Sequence, residues 1–128
     1  MQKEWERAVR QGDIETLARL LASGSDVNAL DQHGQTALMI AARKGQEGLV
    51  ELLLGYGAAL DHTAKYGLSA MMLAVIGGHL GIVEKLVQAG ASTSIRGSGA
   101  PGFSDKTALD MAIEQGRADI ADVLRVVR

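Results

Sequence analysis

Apolar and polar residues follow a helical pattern in two short stretches within residues 31–58. The first stretch places Leu38, Ala41 and Ala42 on one face, at the spacing of an amphipathic helix. The second stretch, residues 49–54, consists almost entirely of Leu and Val. Helices this short are marginal in water and cannot bury their apolar faces by themselves. The pattern therefore predicts that similar helices lie on either side.

Polar residues and glycines mark where these two helices begin and end. Thr36 precedes the first helix, where its hydroxyl can accept hydrogen bonds from backbone N–H groups that have no helical partner. Gly34 lies in the preceding turn, and Gly45 and Gly57 follow the two helices, where left-handed backbone is common. The order is thus a turn, a helix, a stop, a second helix and a second stop.

The same arrangement recurs every 33 residues. Adding 33 to Thr36, Leu38, Ala41, Gly45, Val50, Leu53 and Gly57 gives Ser69, Met71, Ala74, Gly78, Val83, Leu86 and Gly90. Subtracting 33 gives Trp5, Ala8, Gly12, Leu17, Leu20 and Gly24. After five additional residues, a fourth copy holds Thr107, Leu109, Ala112, Gly116, Ile120 and Leu124. This period predicts an all-α solenoid of four stacked helix-turn-helix units joined by short β-hairpin loops.

The second copy carries the family signature most clearly. Its residues 36–58, TALMIAARKGQEGLVELLLGYGA, match the ankyrin pattern T-P-L-H-x-A-A-x-x-G-x-x-x-[IV]-V-x-x-L-L-x-x-G-A. SDVNA at residues 25–29 matches the linking segment. The chain therefore resembles the ankyrin repeat family over essentially its whole length. The resemblance implies a module that binds proteins through a concave face made from hairpin tips and first helices.

We interpret the chain as one ankyrin-like domain, residues 1–128. Its units are 1–30 as an N-terminal cap, 31–63, 64–96, and 97–128 as a C-terminal cap with an enlarged hairpin loop at 97–105. Trp5 is predicted to lie in the core, because it shares a register with Leu38, Met71 and Leu109. A polar outer side on the last helix suggests that the stack is complete; it consists of Asp119, Asp122 and Arg125.

The chain departs from the family pattern at two positions of the first helix. Where the family usually has Pro and His, this sequence has Ala37 with Met39 and Ala70 with Met72, while the last unit has Asp110 at the second position. The resemblance implies that a histidine hydrogen bond between neighbouring hairpins is lost and that flexible thioether side chains take its place. A less rigid row of hairpins is expected.

Four polar residues are predicted to cap helices or to stabilise turns. Asp13 and His79 each follow a glycine stop, and both are interpreted as N-terminal caps of second helices. Asn28 is expected to bond the backbone of its own turn, and His62 is placed in a linking hairpin.

Composition narrows the functional class. The net charge of −2 does not suggest a general nucleic-acid binder, and the absence of cysteine fits a reducing compartment. Residues 1–13 lack the apolar core of a signal peptide, and the apolar run at 49–54 is far too short to span a bilayer. We therefore predict a cytoplasmic monomer that binds neither membranes nor nucleic acids.

The residues that could carry chemistry are scattered. His33, His62 and His79 fall in different structural places, so no metal site is predicted. Ser69 and Ser104 have no histidine partner at a predictable distance, which leaves nucleophilic catalysis without support. We predict no enzyme activity and no cofactor.

Residues 97–102 spell G-x-G-x-x-G, a motif that cradles phosphates when a strand precedes it and a helix opens at its end. Here Thr107 starts the helix several residues later. Nucleotide binding through Gly97–Gly102 is therefore the disfavoured alternative. A flexible, enlarged loop at the rim of the binding face is favoured.

By resemblance, thirteen positions form the candidate partner site. They are Arg10, Gln32, His33, Gln35, Arg43, Lys44, Lys65, Tyr66, Leu68, Ile76, Phe103, Lys106 and Glu114. Four of these positions are apolar although the resemblance implies that they are exposed: Tyr66, Leu68, Ile76 and Phe103. Exposed aromatic groups are frequent binding hot spots, although Tyr66 and Phe103 have the alternative of packing on neighbouring hairpins. A small excess of Arg and Lys favours an acidic partner. The predicted function is protein–protein interaction, and the alternative is a regulator or inhibitor that blocks a partner enzyme.

Overall fold

The computed structural model of the protein describes residues 2–126. Eight α-helices form four pairs: α1 (Lys3–Gln11), α2 (Ile14–Ala22), α3 (Ala37–Lys44), α4 (Glu47–Gly55), α5 (Ala70–Gly77), α6 (Leu80–Ala89), α7 (Ala108–Glu114) and α8 (Ala118–Arg125). A short 3-10 turn spans Lys65–Gly67.

The four pairs stack side by side. First helices contact one another in the order α1, α3, α5, α7, and second helices contact one another in the order α2, α4, α6, α8. The predicted all-α solenoid of stacked helix-turn-helix units is confirmed. The boundaries assigned to the units stay predictions.

The loops contain less β-structure than expected. Within residues 2–126 there is no strand, and the one isolated bridge joins Gly97 and Ser104. The turn before α3 is closed by a backbone hydrogen bond from Asp31 N–H to the Gln35 carbonyl at 2.9 Å. The turn before α5 repeats this bond, from Ala64 to Leu68 at 3.2 Å. One such bond closes a turn without building a β-ladder.

The core runs along the stack rather than sitting at one centre. One row of small residues lies buried at corresponding positions of the first helices: Ala8, Ala41, Ala74 and Ala112. Leu53 and Leu86, from the two middle pairs, are both 0 % exposed. Small side chains let the first helices approach closely, while leucines of the second helices fill the space behind them.

Helix α5 has the longest buried stretch of the first helices, from Ala70 to Val75. The apolar run of the third unit is thus buried between the neighbouring first helices α3 and α7. Trp5 is 2 % exposed, which confirms its place in the core. The last pair is less fully covered, because Ile113 is 51 % exposed at the position that Ala42 and Val75 occupy in buried form.

Four of the eight helices in residues 2–126 have a side-chain N-cap: α2, α3, α5 and α7. Thr36, Ser69 and Thr107 each accept a hydrogen bond from the backbone N–H three residues later. Asp13 accepts from Thr16 N–H at 3.2 Å, as predicted. Asp110 completes a capping box with Thr107, because its side chain accepts from Thr107 N–H at 3.0 Å. This backbone hydrogen bond lowers the pKa of Asp110 below its ordinary value.

Met72 occupies the position at which the family usually has histidine. Its sulfur lies 3.5 Å from Ser69 N–H and acts as a weak acceptor at the start of α5. Met39 and Met72 are both buried. The thioethers therefore fill the core at these positions, and the expected loss of rigidity in the row stays a prediction.

Two predictions about polar side chains were wrong in the same way. Asn28 bonds the next turn, where its Oδ1 accepts from Ala59 N–H at 2.8 Å, because Asp26 already accepts the local Asn28 N–H. His79 does not cap α6 with its side chain; its Nε2 lies 3.0 Å from the Arg43 carbonyl at the end of α3. Both side chains link neighbouring pairs.

In the last three pairs, the residue after the glycine that ends the first helix region reaches back to the preceding pair; these residues are Gln46, His79 and Arg117. A Cβ built on Gly12, Gly45 or Gly78 would lie 2.7 Å or less from the side chain of Gln46, His79 or Arg117 respectively. Gly45 has φ +79, and its neighbour is the His79 ring. These glycines thus provide both a left-handed turn and room for the next pair.

We expect Leu53→Ala to lower the free energy of unfolding by about 2–5 kcal/mol, because it opens a cavity in a fully buried position. Urea denaturation followed by circular dichroism measures the change. The exposed Gln88→Ala serves as a control and should stay within about 0.5 kcal/mol of the parent. Equal stability of the Leu53→Ala protein and the parent would contradict this account of the core.

Gly45→Ala should destabilise the protein more than Gly57→Ala. Both glycines have positive φ, +79 and +75, so both substitutions strain the backbone. An added Cβ at position 45 would also lie 2.5 Å from the His79 ring, whereas nothing lies within 4 Å at position 57. Thermal unfolding of the two variants compares them. Equal decreases in the melting temperature would mean that the contact with His79 does not contribute to the destabilisation.

Candidate functional site

A groove lies where the second and third helix pairs meet. It has a volume of about 130 Å³ and is lined by Gln35, Met39, Arg43, Ala64, Lys65, Tyr66, Leu68 and Leu73. These residues belong to α3, to α5 and to the turns before them, so the groove opens on the face formed by first helices and turns. Five of the thirteen candidate positions line it: Gln35, Arg43, Lys65, Tyr66 and Leu68.

The floor of the groove is apolar. Met39, Leu68 and Leu73 belong to the buried core and also line the groove. The expectation that Leu68 is exposed was wrong, because it is only 7 % exposed. Leu68 precedes the N-cap Ser69, and Leu73 lies four residues into α5; apolar residues at these two positions commonly pack together. Leu68 therefore contributes to the site as part of its floor.

Two cations line the groove. In residues 2–126, neither Arg43 nor Lys65 forms an ion pair with a carboxylate. By contrast, Arg10 pairs with Glu6 at 2.7 Å. Lys106 pairs with Glu114 at 2.8 Å. Arg43 and Lys65 thus bring positive charge to the groove without a carboxylate partner among the described residues, and Lys44 adds a third such cation on the same face.

Tyr66 forms an aromatic wall. Its backbone is left-handed, with φ 64, which is uncommon for a residue other than glycine. Its ring lies 5.5 Å from the Phe103 ring, and the Lys65 ammonium lies 4.9 Å from its centroid. Both aromatic residues are half-buried, and they pack on each other across neighbouring turns. Tyr66 also faces the groove, whereas Phe103 stands behind it.

A sequence model of ankyrin repeats, in three copies, matches residues 5–97. The chain belongs to the ankyrin repeat family. Ankyrin repeats are generic protein–protein interaction modules and are typically not catalytic. The match ends at Gly97, where the enlarged loop begins, and α7 and α8 continue the ankyrin stack beyond it. A search of curated proteins found no match.

The remaining candidate positions of this ankyrin domain lie outside the groove. Gln32 and His33 are exposed at the tip of the turn before α3. Ile76 is half-buried at the end of α5, and its carbonyl accepts from Gln115 Nε2 at 3.3 Å. Lys44 is exposed, and its ammonium donates to the Arg10 carbonyl at 3.1 Å. The structure thus does not gather all thirteen residues in one place.

Three residues that line the groove were absent from the sequence-based set: Met39, Ala64 and Leu73. The two larger ones follow the core pattern of the ankyrin unit, and they are indeed buried. They border the groove because it lies between two pairs, where core residues approach the surface. Their place at the groove depends on the distance between α3 and α5, which the sequence of a single unit does not specify.

Four other depressions are larger. Three of about 270, 330 and 200 Å³ lie on the first helix pair, and one of about 190 Å³ lies on the last pair. The depression of about 270 Å³ has no cation in its lining, and the one of about 330 Å³ is lined only by polar and charged residues. The depression of about 200 Å³ has Ala8 as its one apolar residue. On the last pair, both lining arginines are already paired with aspartates. None of the four combines an apolar floor with cations that have no carboxylate partner.

Backbone hydrogen bonds fix the loop at 97–105, both within the loop and to the turn before α5. Gly97 N–H donates to the Lys106 carbonyl at 2.9 Å, and Ser98 N–H donates to the Tyr66 carbonyl at 2.7 Å. Phe103 N–H donates to the Ala100 carbonyl at 2.9 Å. These bonds argue against the expected flexibility, and they occupy N–H groups that a phosphate would need.

Within residues 2–126, no three side chains of His, Cys, Asp or Glu are arranged to hold a metal ion. The same part of the chain has no helix long and apolar enough to cross a membrane.

We expect that ATP or NAD, each added at millimolar concentration, leaves the melting temperature unchanged, because the N–H groups of Gly97, Ser98 and Ala100 already have carbonyl partners. A ligand present at 100 times its dissociation constant would add about 2.7 kcal/mol of stability. Differential scanning fluorimetry measures the shift. Stabilisation at micromolar nucleotide would show that a nucleotide site exists.

Proposed function

We propose that this ankyrin domain binds a partner protein through the face formed by its first helices and turns, with the groove at the centre of the contact. One observation carries the proposal: an apolar floor, an aromatic wall and two cations without carboxylate partners meet in one groove. Binding hot spots combine such features, since aromatic and arginine side chains in desolvated pockets contribute most of the energy.

The partner presents acidic groups to this face. Arg43, Lys44 and Lys65 supply its positive charge. Asp31 is an acid of the turn before α3, and its Oδ1 already accepts from His33 and Gln35 N–H at 2.8 and 2.9 Å. A locally positive surface speeds the approach of an acidic partner and disfavours a basic one.

The proposed contact extends beyond the groove to the other candidate positions on the face, including Gln32, His33 and Ile76. In this proposal the protein acts as a cytoplasmic monomer. A regulator that covers the active site of a partner enzyme would use the same face.

The proposal is tested by reversing the charge at the groove. We expect Arg43→Glu with Lys65→Glu to lower the recovery of partner proteins about tenfold or more, because two attractive contacts become repulsive. Affinity purification with quantitative mass spectrometry measures recovery. The matched control is Lys3→Glu with Arg7→Glu, which makes the same charge change at exposed positions of α1.

Circular dichroism and the melting temperature should be the same for both double variants, since all four positions are exposed. Undiminished recovery with the groove variant would reject the face assignment. An equal loss with the α1 variant would show that overall charge, and not the groove, determines binding.

A further inference from the structure

We propose that the groove recognises a partner segment in which an apolar side chain stands next to a carboxylate, and that the loop at 97–105 holds the aromatic wall for that segment. This inference rests on the proposed function and specifies the ligand of the same site. It also gives the additional residues of the last turn a role.

The size and lining of the groove indicate the apolar part of the ligand. An apolar cavity of about 150 Å³ holds one benzene molecule. The groove, with about 130 Å³, therefore matches a single large side chain rather than the face of a helix. Met39, Leu68 and Leu73 offer no hydrogen-bonding group beyond a thioether, so an apolar side chain is the matching occupant.

The charges indicate the second part of the ligand. Arg43 and Lys65 line the same groove as the apolar floor, and the Lys65 ammonium lies 4.9 Å from the centroid of the Tyr66 ring. Arginine binds a carboxylate through two parallel hydrogen bonds. A carboxylate adjacent to the inserted side chain would find both cations without displacing an existing ion pair. Neighbouring residues of one extended segment satisfy this spacing.

Tyr66 is held in a conformation that the repeat itself does not require. The turns before α3 and α5 have the same backbone hydrogen bonds, from Asp31 to Gln35 and from Ala64 to Leu68. Each turn also has a glycine with positive φ, at Gly34 and at Gly67. Tyr66 has φ 64, whereas His33, its counterpart 33 residues earlier, does not have positive φ. The two turns differ at their first residue, because Asp31 Oδ1 accepts from His33 N–H, whereas Ala64 has no side-chain acceptor. Without that bond inside the turn, the left-handed backbone of Tyr66 is stabilised by contacts from outside the turn.

The loop at 97–105 provides that stabilisation. Ser98 N–H donates to the Tyr66 carbonyl, and the Phe103 ring packs 5.5 Å from the Tyr66 ring. The approach is close, because a Cβ on Gly67 would lie 3.1 Å from Ser98 Oγ. Left-handed backbone at a non-glycine residue persists where the surroundings determine it, and it is often found at binding sites. Phe103 is thus a positioning residue, and Tyr66 is the residue that faces the ligand.

The test starts from a displayed library of random twelve-residue peptides. Peptides are selected on the parent protein and counter-selected on Arg43→Glu with Tyr66→Ala, so that binders outside the groove are removed. Selected sequences are synthesised with fluorescein, and dissociation constants are measured by fluorescence anisotropy. We expect an apolar residue within two positions of Asp or Glu in the selected peptides. Replacing the apolar residue of the peptide by Ala should weaken binding about tenfold. Replacing its Asp by Asn, or its Glu by Gln, should weaken binding by a similar factor.

Variants of the protein test the two roles separately. Tyr66→Ala should weaken the selected peptides about 30-fold, as for a hot-spot residue. Phe103→Ala should weaken them about tenfold through Tyr66, and Phe103→Tyr should restore binding. Pro101→Ala is the matched control, because it changes an exposed residue of the same loop and should leave the dissociation constant unchanged. The melting temperature is measured for each variant.

Selected peptides without a paired acid and apolar residue, or the absence of any selected peptide, would overturn the inference. Parent-like binding by folded Phe103→Ala would overturn the role of the loop. These failures differ from failure of the proposed function, which would appear as unchanged recovery of partner proteins after charge reversal at Arg43 and Lys65.

Discussion

Burial between neighbouring helix pairs is the constraint on which this protein depends. Its helices have 7–10 residues, too few to persist in water without tertiary contacts. Each pair has an apolar side that only another pair can cover, as Leu53 and Leu86 show in the middle of the stack. Stability is then the sum of many similar contacts between neighbours, and no single centre holds the molecule together.

Polar side chains fix the geometry of those contacts. Asn28 and Asp61 each bond a backbone N–H 31 residues later, at 2.8 Å in both cases. On the opposite end of the helices, His79 and Arg117 each reach back to a carbonyl of the preceding pair. Apolar packing drives the pairs together, and these bonds set how far one pair is displaced from the next. The width of the groove is one result of that displacement.

The sequence predicted the fold well because its information is repeated. A period of 33 residues, glycine stops such as Gly45 and caps such as Thr36 all indicate the same arrangement, and each of these features has the expected conformation. It predicted the direction of polar side chains poorly. Asn28 and His79 were assigned partners within their own unit, whereas both bond the adjacent pair.

The same limit explains the partial success at the candidate site. The exposure of Arg43 and Lys65 could be predicted, because the position of a residue within a unit determines its exposure. The burial of Leu68 and the contribution of Met39 and Leu73 follow from how α3 and α5 sit side by side. The packing of Phe103 on Tyr66 depends on the path of an additional loop, which no other unit of the chain repeats.

The position of Trp5 has a practical consequence. It is the one tryptophan in the chain, and it is buried in the first helix pair. Its emission spectrum therefore reports on the environment of that pair, while far-ultraviolet circular dichroism averages over all helices. A row of similar units can lose its ends before its middle. Comparing the two signals during denaturation shows whether the first pair opens alone or together with the rest.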